Sequence, residues 1–154
     1  MPAPPIRRVV TGHNDQGLAI VAVDDIAQGE IVTQGWMTDT LPSNNVDDFE
    51  SGMSQPGASI PGGSALRMVD MNPGYRSAMH RTSTVDYVFI LSGELDMELD
   101  GGETVLLKGG DIVIQRGTNH RWINNSDGIC RFASVLIRAE TVTINGKTLE
   151  PTMV

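Results

Sequence analysis

The sequence predicts an all-β protein, folded as an antiparallel barrel or sandwich. Three observations carry this. Roughly ten short apolar or β-branched runs recur, with turn residues about every 8–12 positions. Gly 17 and Pro 8 among 154 residues make the chain turn-rich without reaching low complexity. No stretch keeps 3.6-residue periodicity for more than about two turns. Repeated tight hairpins also argue against a parallel α/β sheet, whose strands need long crossovers.

Ile6 to Thr11 and Leu18 to Val23 are β-branched runs joined by Asn14-Asp15-Gln16-Gly17, a hairpin with glycine in the turn. Glu30 to Trp36 is a third strand. The pattern breaks from Thr40 to Gly63, where prolines, asparagines, acids and glycines make a long loop. Such a loop is a solvated acidic excursion, a lid or a dimer-contact arm. Ala65 to Met71 is the next strand, stopped by Asn72-Pro73-Gly74. Asp86 to Leu91 is strongly apolar and turns at Ser92-Gly93. Glu94 to Leu99 alternates, with Leu95, Met97 and Leu99 on one face and acids on the other. Asp100-Gly101-Gly102 leads to Glu103–Leu107, and Lys108-Gly109-Gly110-Asp111 to Ile112–Gln115. His120 to Asn124 and Cys130 to Arg138 follow, and Asn145-Gly146 closes a last hairpin.

The length fits one domain that buries about 70 % of its unfolded surface. A net charge of −8 disfavours nucleic acid and anionic membranes as partners, since both are bound by clustered Lys and Arg. Cys130 is the single cysteine, which rules out an intrachain disulfide and a multi-cysteine zinc site. It reads as a small buried residue. No run of about 18 apolar residues exists to span a membrane. Residues 1–8 lack the apolar core of a secretory signal, so a cytoplasmic location is expected. Phosphate-binding glycine loops and nucleophile elbows are missing. Met53, Met68, Met71, Met79 and Met97 read as gap-fillers in a core with few aromatics.

Two of the three histidines fall in ordered spacings, while His13 reads as an exposed turn residue. In the first spacing, Gly74 precedes His80 by five intervening residues. Thr82 follows two positions on, then Asp86 after three residues and Gly93 after six. In the second, five residues separate Gly109 from Gln115-Arg116-Gly117. His120 follows after two residues and Asn124 after three more. In extended chain His80 and Thr82 share a face, as do His120, Trp122 and Asn124.

At these positions the sequence resembles the cupin superfamily. Its two motifs run Gly, five residues, His-x-His, three or four residues, Glu, six residues, Gly, and Gly, five residues, Pro-x-Gly, two residues, His, three residues, Asn. The resemblance implies a jelly-roll-like antiparallel β-barrel in one domain over 1–154. The core barrel would span about 64–138, with N-terminal strands within 6–36 and a C-terminal hairpin at 141–149. Members of the family commonly hold a divalent metal on the motif histidines and glutamate. Carried over, His80, Asp86 and His120 would be both metal ligands and catalytic residues, with zinc, iron, manganese or nickel as the ion. The departures are Thr82 for the second histidine, Asp86 for glutamate and Gln115 for proline, so one ligand is lost.

Three readings stay open. The triad holds a metal with free positions, as two histidines and a carboxylate do in non-haem iron sites and three protein ligands do in catalytic zinc sites. Or it works as acid and base without metal. Or the histidines are hydrogen-bonded barrel residues lining a binding cavity. Thr82, Trp122 and Arg67 join the expected substrate pocket. Trp122 either stacks on a planar substrate or is core, and Arg67, Arg81 and Arg116 are candidates to grip a carboxylate or phenolate. The resemblance implies a small-molecule enzyme: a lyase, isomerase, decarboxylase or dehydratase acting on a carbonyl or phenolic metabolite. A non-catalytic binding cupin and an iron dioxygenase are the alternatives. A homodimer joined by edge strands or terminal arms is also expected.

Overall fold

The computed structural model describes residues 3–46 and 62–152. Among them there is no helix, and twelve strands run in order. They are β1 (Ile6–His13), β2 (Ala19–Ala27), β3 (Val32–Thr38), β4 (Ser64–Met71), β5 (Thr84–Ser92) and β6 (Glu94–Leu99). Then come β7 (Thr104–Lys108), β8 (Ile112–Arg116), β9 (His120–Ile123), β10 (Cys130–Arg138), β11 (Thr143–Ile144) and β12 (Lys147–Thr148). All named pairs are antiparallel. A five-stranded sheet in the order β3-β4-β10-β5-β8 faces a three-stranded sheet, β7-β6-β9, and the core fills the space between. Of the long loop expected over 40–63, residues 47–61 lie outside the described residues, as does Met53.

Register explains which side chains enter the barrel. On β5, Thr84, Asp86, Val88 and Ile90 are buried while Tyr87, Phe89 and Leu91 face out. Across the sheet this parity puts Arg67, Ser134 and Val88 in one inward row and Leu136, Asp86 and Gln115 in the next. The main core joins Met71, Val88, Ile90, Leu95, Met97, Trp122 and Phe132 to Cys130, which has no exposed surface. Burial pushes the Cys130 thiol up to about 11, helped by Asp70 and Glu94.

The outward rows are apolar too. Ile114, Tyr87, Val135 and Leu66 align across β8, β5, β10 and β4, with Ile112, Phe89, Ala133 and Met68 beside them. Ile112 is 65 % exposed. Most antiparallel sheets put polar residues on such a face. β1 and β2 form a separate ribbon, clasped by the ion pairs Arg7–Asp24 and Arg8–Asp25 and tied to β3 where Arg8 donates to the Gly35 carbonyl at 3.3 Å.

Two motif residues prove structural. Gly93 turns β5 into β6 at φ 77°, where a Cβ would stand 2.6 Å from the Ile129 carbonyl oxygen. Gly93→Ala is therefore expected to cost about 2–4 kcal/mol through left-handed strain and this backbone clash. Urea denaturation checks it, and a loss under about 1 kcal/mol would mean that the 92–94 turn relaxes freely. Asn124 is fully buried. Its Nδ2 donates to the Met71 carbonyl at 2.7 Å and the Gly128 carbonyl at 2.8 Å, and its Oδ1 accepts from the Ser126 amide and hydroxyl.

Candidate functional site

His120 opens β9, paired with Leu99 of β6. His80 lies outside any strand but docks on it through two backbone hydrogen bonds, each residue's N–H donating to the other's carbonyl at 2.8 and 2.9 Å. Residues paired this way carry side chains on one face, and the two imidazoles sit 4.3 Å apart at 54°. Each Nδ1 lies 2.9 Å from the carbonyl oxygen two residues back, Ala78 for His80 and Thr118 for His120. A carbonyl can only accept, so Nδ1 carries a proton in both rings.

His120 is 3 % exposed. Burial lowers its pKa to about 4, against the bond to Thr118 and reinforced by the charge of His80. The ring is thus neutral at neutral pH. The unfolded chain, at about 6.5, binds the proton more readily, so this group's contribution is complete above that value and is lost as pH falls towards 4. We expect the His120 ring protons to titrate near pH 4 by NMR. A midpoint of 6–7 would show a solvated ring instead.

Asp86 is 4 % exposed on the opposite sheet. Burial raises its pKa, opposed by a hydrogen bond from Thr84 and by the charges of Arg67 and His80. Thr84 Oγ1 donates to Asp86 Oδ1 at 2.5 Å, and Thr82 Oγ1 lies 2.7 Å from Thr84 Oγ1. Thr84 has one hydroxyl proton and spends it on Asp86, so Thr82 donates to Thr84. Thr82 therefore offers lone pairs to its surroundings. At the position where the family places a second histidine, this chain begins a short hydroxyl chain to Asp86.

All six residues expected at the site, His80, Thr82, Asp86, His120, Trp122 and Arg67, line one cavity of about 440 Å³. That volume suits one small molecule. Its remaining walls are mainly apolar, with Val69, Met71, Tyr75, Phe132 and Leu136 among them. Trp122 serves both of its expected roles, since it lines the cavity and packs in the core edge-on to His120 at 5.3 Å. Arg81 and Arg116 do not line the cavity. Arg81 pairs with Asp100, and Arg116 is exposed on the outer face of β8.

Members of the family the sequence resembles commonly hold a divalent metal at these positions. The two Nε2 atoms stand on one face and would suit it. The carboxylate does not join them, because among the described residues no three His, Cys, Asp or Glu side chains are placed to hold one ion. Asp86 is instead committed to Thr84. The residues as placed do not fit the three-donor set.

Residues absent from the sequence reading also line the cavity or support it: Tyr75, Ser134 and the buried Gln34. Strand parity alone could have found Ser134, two positions from Leu136 on β10.

The family described as "Cupin domain" matches residues 67–136, which hold both motifs. The cupin-domain-containing oxidoreductase fogC of Aspergillus ruber is 32 % identical over 93 % of this chain and 77 % of its own length. The chain belongs to the cupin superfamily. Phomopsin biosynthesis cluster protein C′ of Diaporthe leptostromiformis is 38 % identical to this cupin, over 92 % of the chain and 83 % of that protein. Among solved structures, the polyketide cyclase RemF of Streptomyces resistomycificus is similar with a TM-score of 0.49 at 18 % identity, over 79 % of this cupin and 70 % of that chain.

Proposed function

We propose that this cupin is a small-molecule enzyme that moves a proton on a carbonyl or phenolic substrate, as a lyase, isomerase, decarboxylase or dehydratase does. The observation that carries the reading is the imidazole pair. Two rings fixed at Nδ1 on backbone carbonyls line one apolar-walled cavity, and the neutral ring of His120 keeps its Nε2 lone pair. His120, neutral at neutral pH, accepts a proton from an acidic C–H or O–H, and the apolar walls keep out water that would compete for it. Thr82 accepts a hydrogen bond from a substrate hydroxyl and orients it.

The test is proton exchange. The wild-type protein, treated with chelator, is incubated in D₂O with o-hydroxyaryl ketones and β-keto acids and followed by NMR. Deuterium entering an α-carbon, and its loss in His120→Ala, is the expected result. Ligand binding without exchange across the whole series would instead mark a non-catalytic binding cupin. A second reading, redox chemistry, draws on the relatives whose names describe them as cupin-domain-containing oxidoreductases. Stoichiometric iron after reconstitution, with oxygen consumption, would favour it; bound zinc, manganese or nickel would point to Lewis-acid chemistry.

Two copies are proposed to pair through the outer rows around Tyr87 and Phe89. Those rows are apolar and hold no acid, in a chain that otherwise carries 19. Sedimentation velocity is expected to give about twice the chain mass. A monomer at micromolar concentration would remove the pairing.

A further inference from the structure

The cavity holds one cation that the proton-transfer reading leaves unused. Arg67 projects from the inner face of β4, in register with Gln34 of β3 and Ser134 of β10. It lines the same cavity as the imidazole pair. Most arginines of this chain pair with carboxylates: Arg7 with Asp24, Arg8 with Asp25, Arg131 with Asp70 and Arg121 with Glu98. Among the described residues Arg67 forms no ion pair. Arg116 and Arg138 form none either, but both are exposed, where water serves them.

Among the described residues the one hydrogen-bond partner of the Arg67 side chain is neutral. Its Nε donates to Gln34 Oε1 at 3.3 Å. Gln34 is 3 % exposed, and its own Nε2 donates to the Trp36 carbonyl at 2.6 Å and the Leu66 carbonyl at 3.4 Å. A neutral, locked acceptor aims a guanidinium without neutralising it. Among the described residues neither terminal nitrogen has a hydrogen-bond partner, and the planar fork can meet a carboxylate through two parallel bonds. The nearest acid does not fill that role. Asp86 is close enough for its charge to act on Arg67, yet among the described residues no ion pair joins the two, and its Oδ1 accepts from Thr84. Burial pulls the Arg67 pKa down, against the charge of Asp86, as it does for a cation held partly out of water. A ligand anion would relieve that cost.

We propose that the cavity takes an anionic substrate, a small organic carboxylate, and that Arg67 binds its carboxylate group with Gln34 as the positioning residue. This rests on the cavity being the substrate site. It adds polarity to that site, with hydrogen-bond donors on the Arg67 wall and lone pairs from Thr82 and His120 across from it. A hydroxyaryl or keto acid matches both walls, its carboxylate on one and its acidic hydroxyl or C–H on the other.

The test is binding rather than turnover. Benzoate and cinnamate are each compared with their methyl esters by isothermal titration calorimetry at fixed pH and salt. In the wild-type protein at least one acid is expected to bind ten-fold or more tightly than its ester. Arg67→Met should bring that ratio to about one while the ester's affinity stays put, which shows the cavity intact. Arg67→Lys should restore only part of it, since an ammonium lacks the fork. Gln34→Leu should lower the ratio several-fold, again without moving the ester. Equal binding of acid and ester by the wild-type protein, binding of none of the four at millimolar concentration, or a ratio preserved in Arg67→Met would each overturn the proposal. A protein that prefers acids but exchanges no substrate proton would refute the proton-transfer reading and leave this one standing.

Discussion

His120→Ala is expected to lower the rate of substrate proton exchange by about 10²–10⁴-fold, the range a positioned general base contributes. The argument is one of chemistry and placement together. His120 Nε2 is unprotonated at neutral pH because burial holds the ring near pH 4, and the bond from Nδ1 to Thr118 fixes its aim. A free imidazole would titrate near 6.5 and lose part of its basic form just below neutrality. The rate should therefore hold on the acid side down to about pH 5. The loss should fall on kcat rather than KM, because the cavity walls that bind substrate remain. Stability should change little, as the alanine leaves a space beside an existing cavity rather than a void in the core. Exchange within three-fold of wild type would show that His120 does not move the proton. His80→Ala then becomes the decisive variant, since its ring lies 4.3 Å away on the same face.

Asn124→Leu is expected to cost about 3–5 kcal/mol and to lower the melting temperature by roughly 10 °C. The Asn124 side chain makes four hydrogen bonds. Its amide and carbonyl serve the backbone of Met71, Gly128 and Ser126 and the Ser126 hydroxyl. Leucine fits the space but takes the Asn124 donor from the buried Met71 carbonyl, whose desolvation then goes uncompensated, while the Gly128 carbonyl keeps the Ser126 hydroxyl. Asn124→Asp keeps the acceptor and loses both donors, so it should fall between the two. Differential scanning calorimetry decides, and a drop of less than 2 °C for the leucine variant would mean that water satisfies the Met71 carbonyl. This assigns the second motif's asparagine to holding β9 and the following loop against β4, outside the chemistry.

The sheet was legible because its strands are half-buried and alternate. β6 and β10 have the bounds the sequence predicts, Glu94–Leu99 and Cys130–Arg138. The site was legible to the level of who shares a cavity, since motif spacing and strand parity both report which face a side chain takes. Distances between elements were not. Spacing brings His80, Asp86 and His120 to one cavity, but whether three donors meet depends on the separation of two sheets, and Thr84 takes up the carboxylate. Gln34 stayed hidden for a different reason. β3 carries a bulge between Gln34 and Trp36, and a bulge reverses the parity by which inward positions are counted. His80 escaped a regular strand altogether, so its placement follows from a single pair of bridge bonds with His120.

Cys130 offers a clock for the barrel's breathing. A thiol with no exposed surface and a pKa near 11 is almost inert to disulfide reagents while the sheets are closed. Modification can proceed only in the fraction of time that the two sheets part and expose it. Its rate, divided by that of a free thiol under the same conditions, gives the opening equilibrium directly. A bound ligand that bridges the two sheets would slow this clock in proportion to its occupancy, so the cysteine can score ligands without any knowledge of the reaction they undergo.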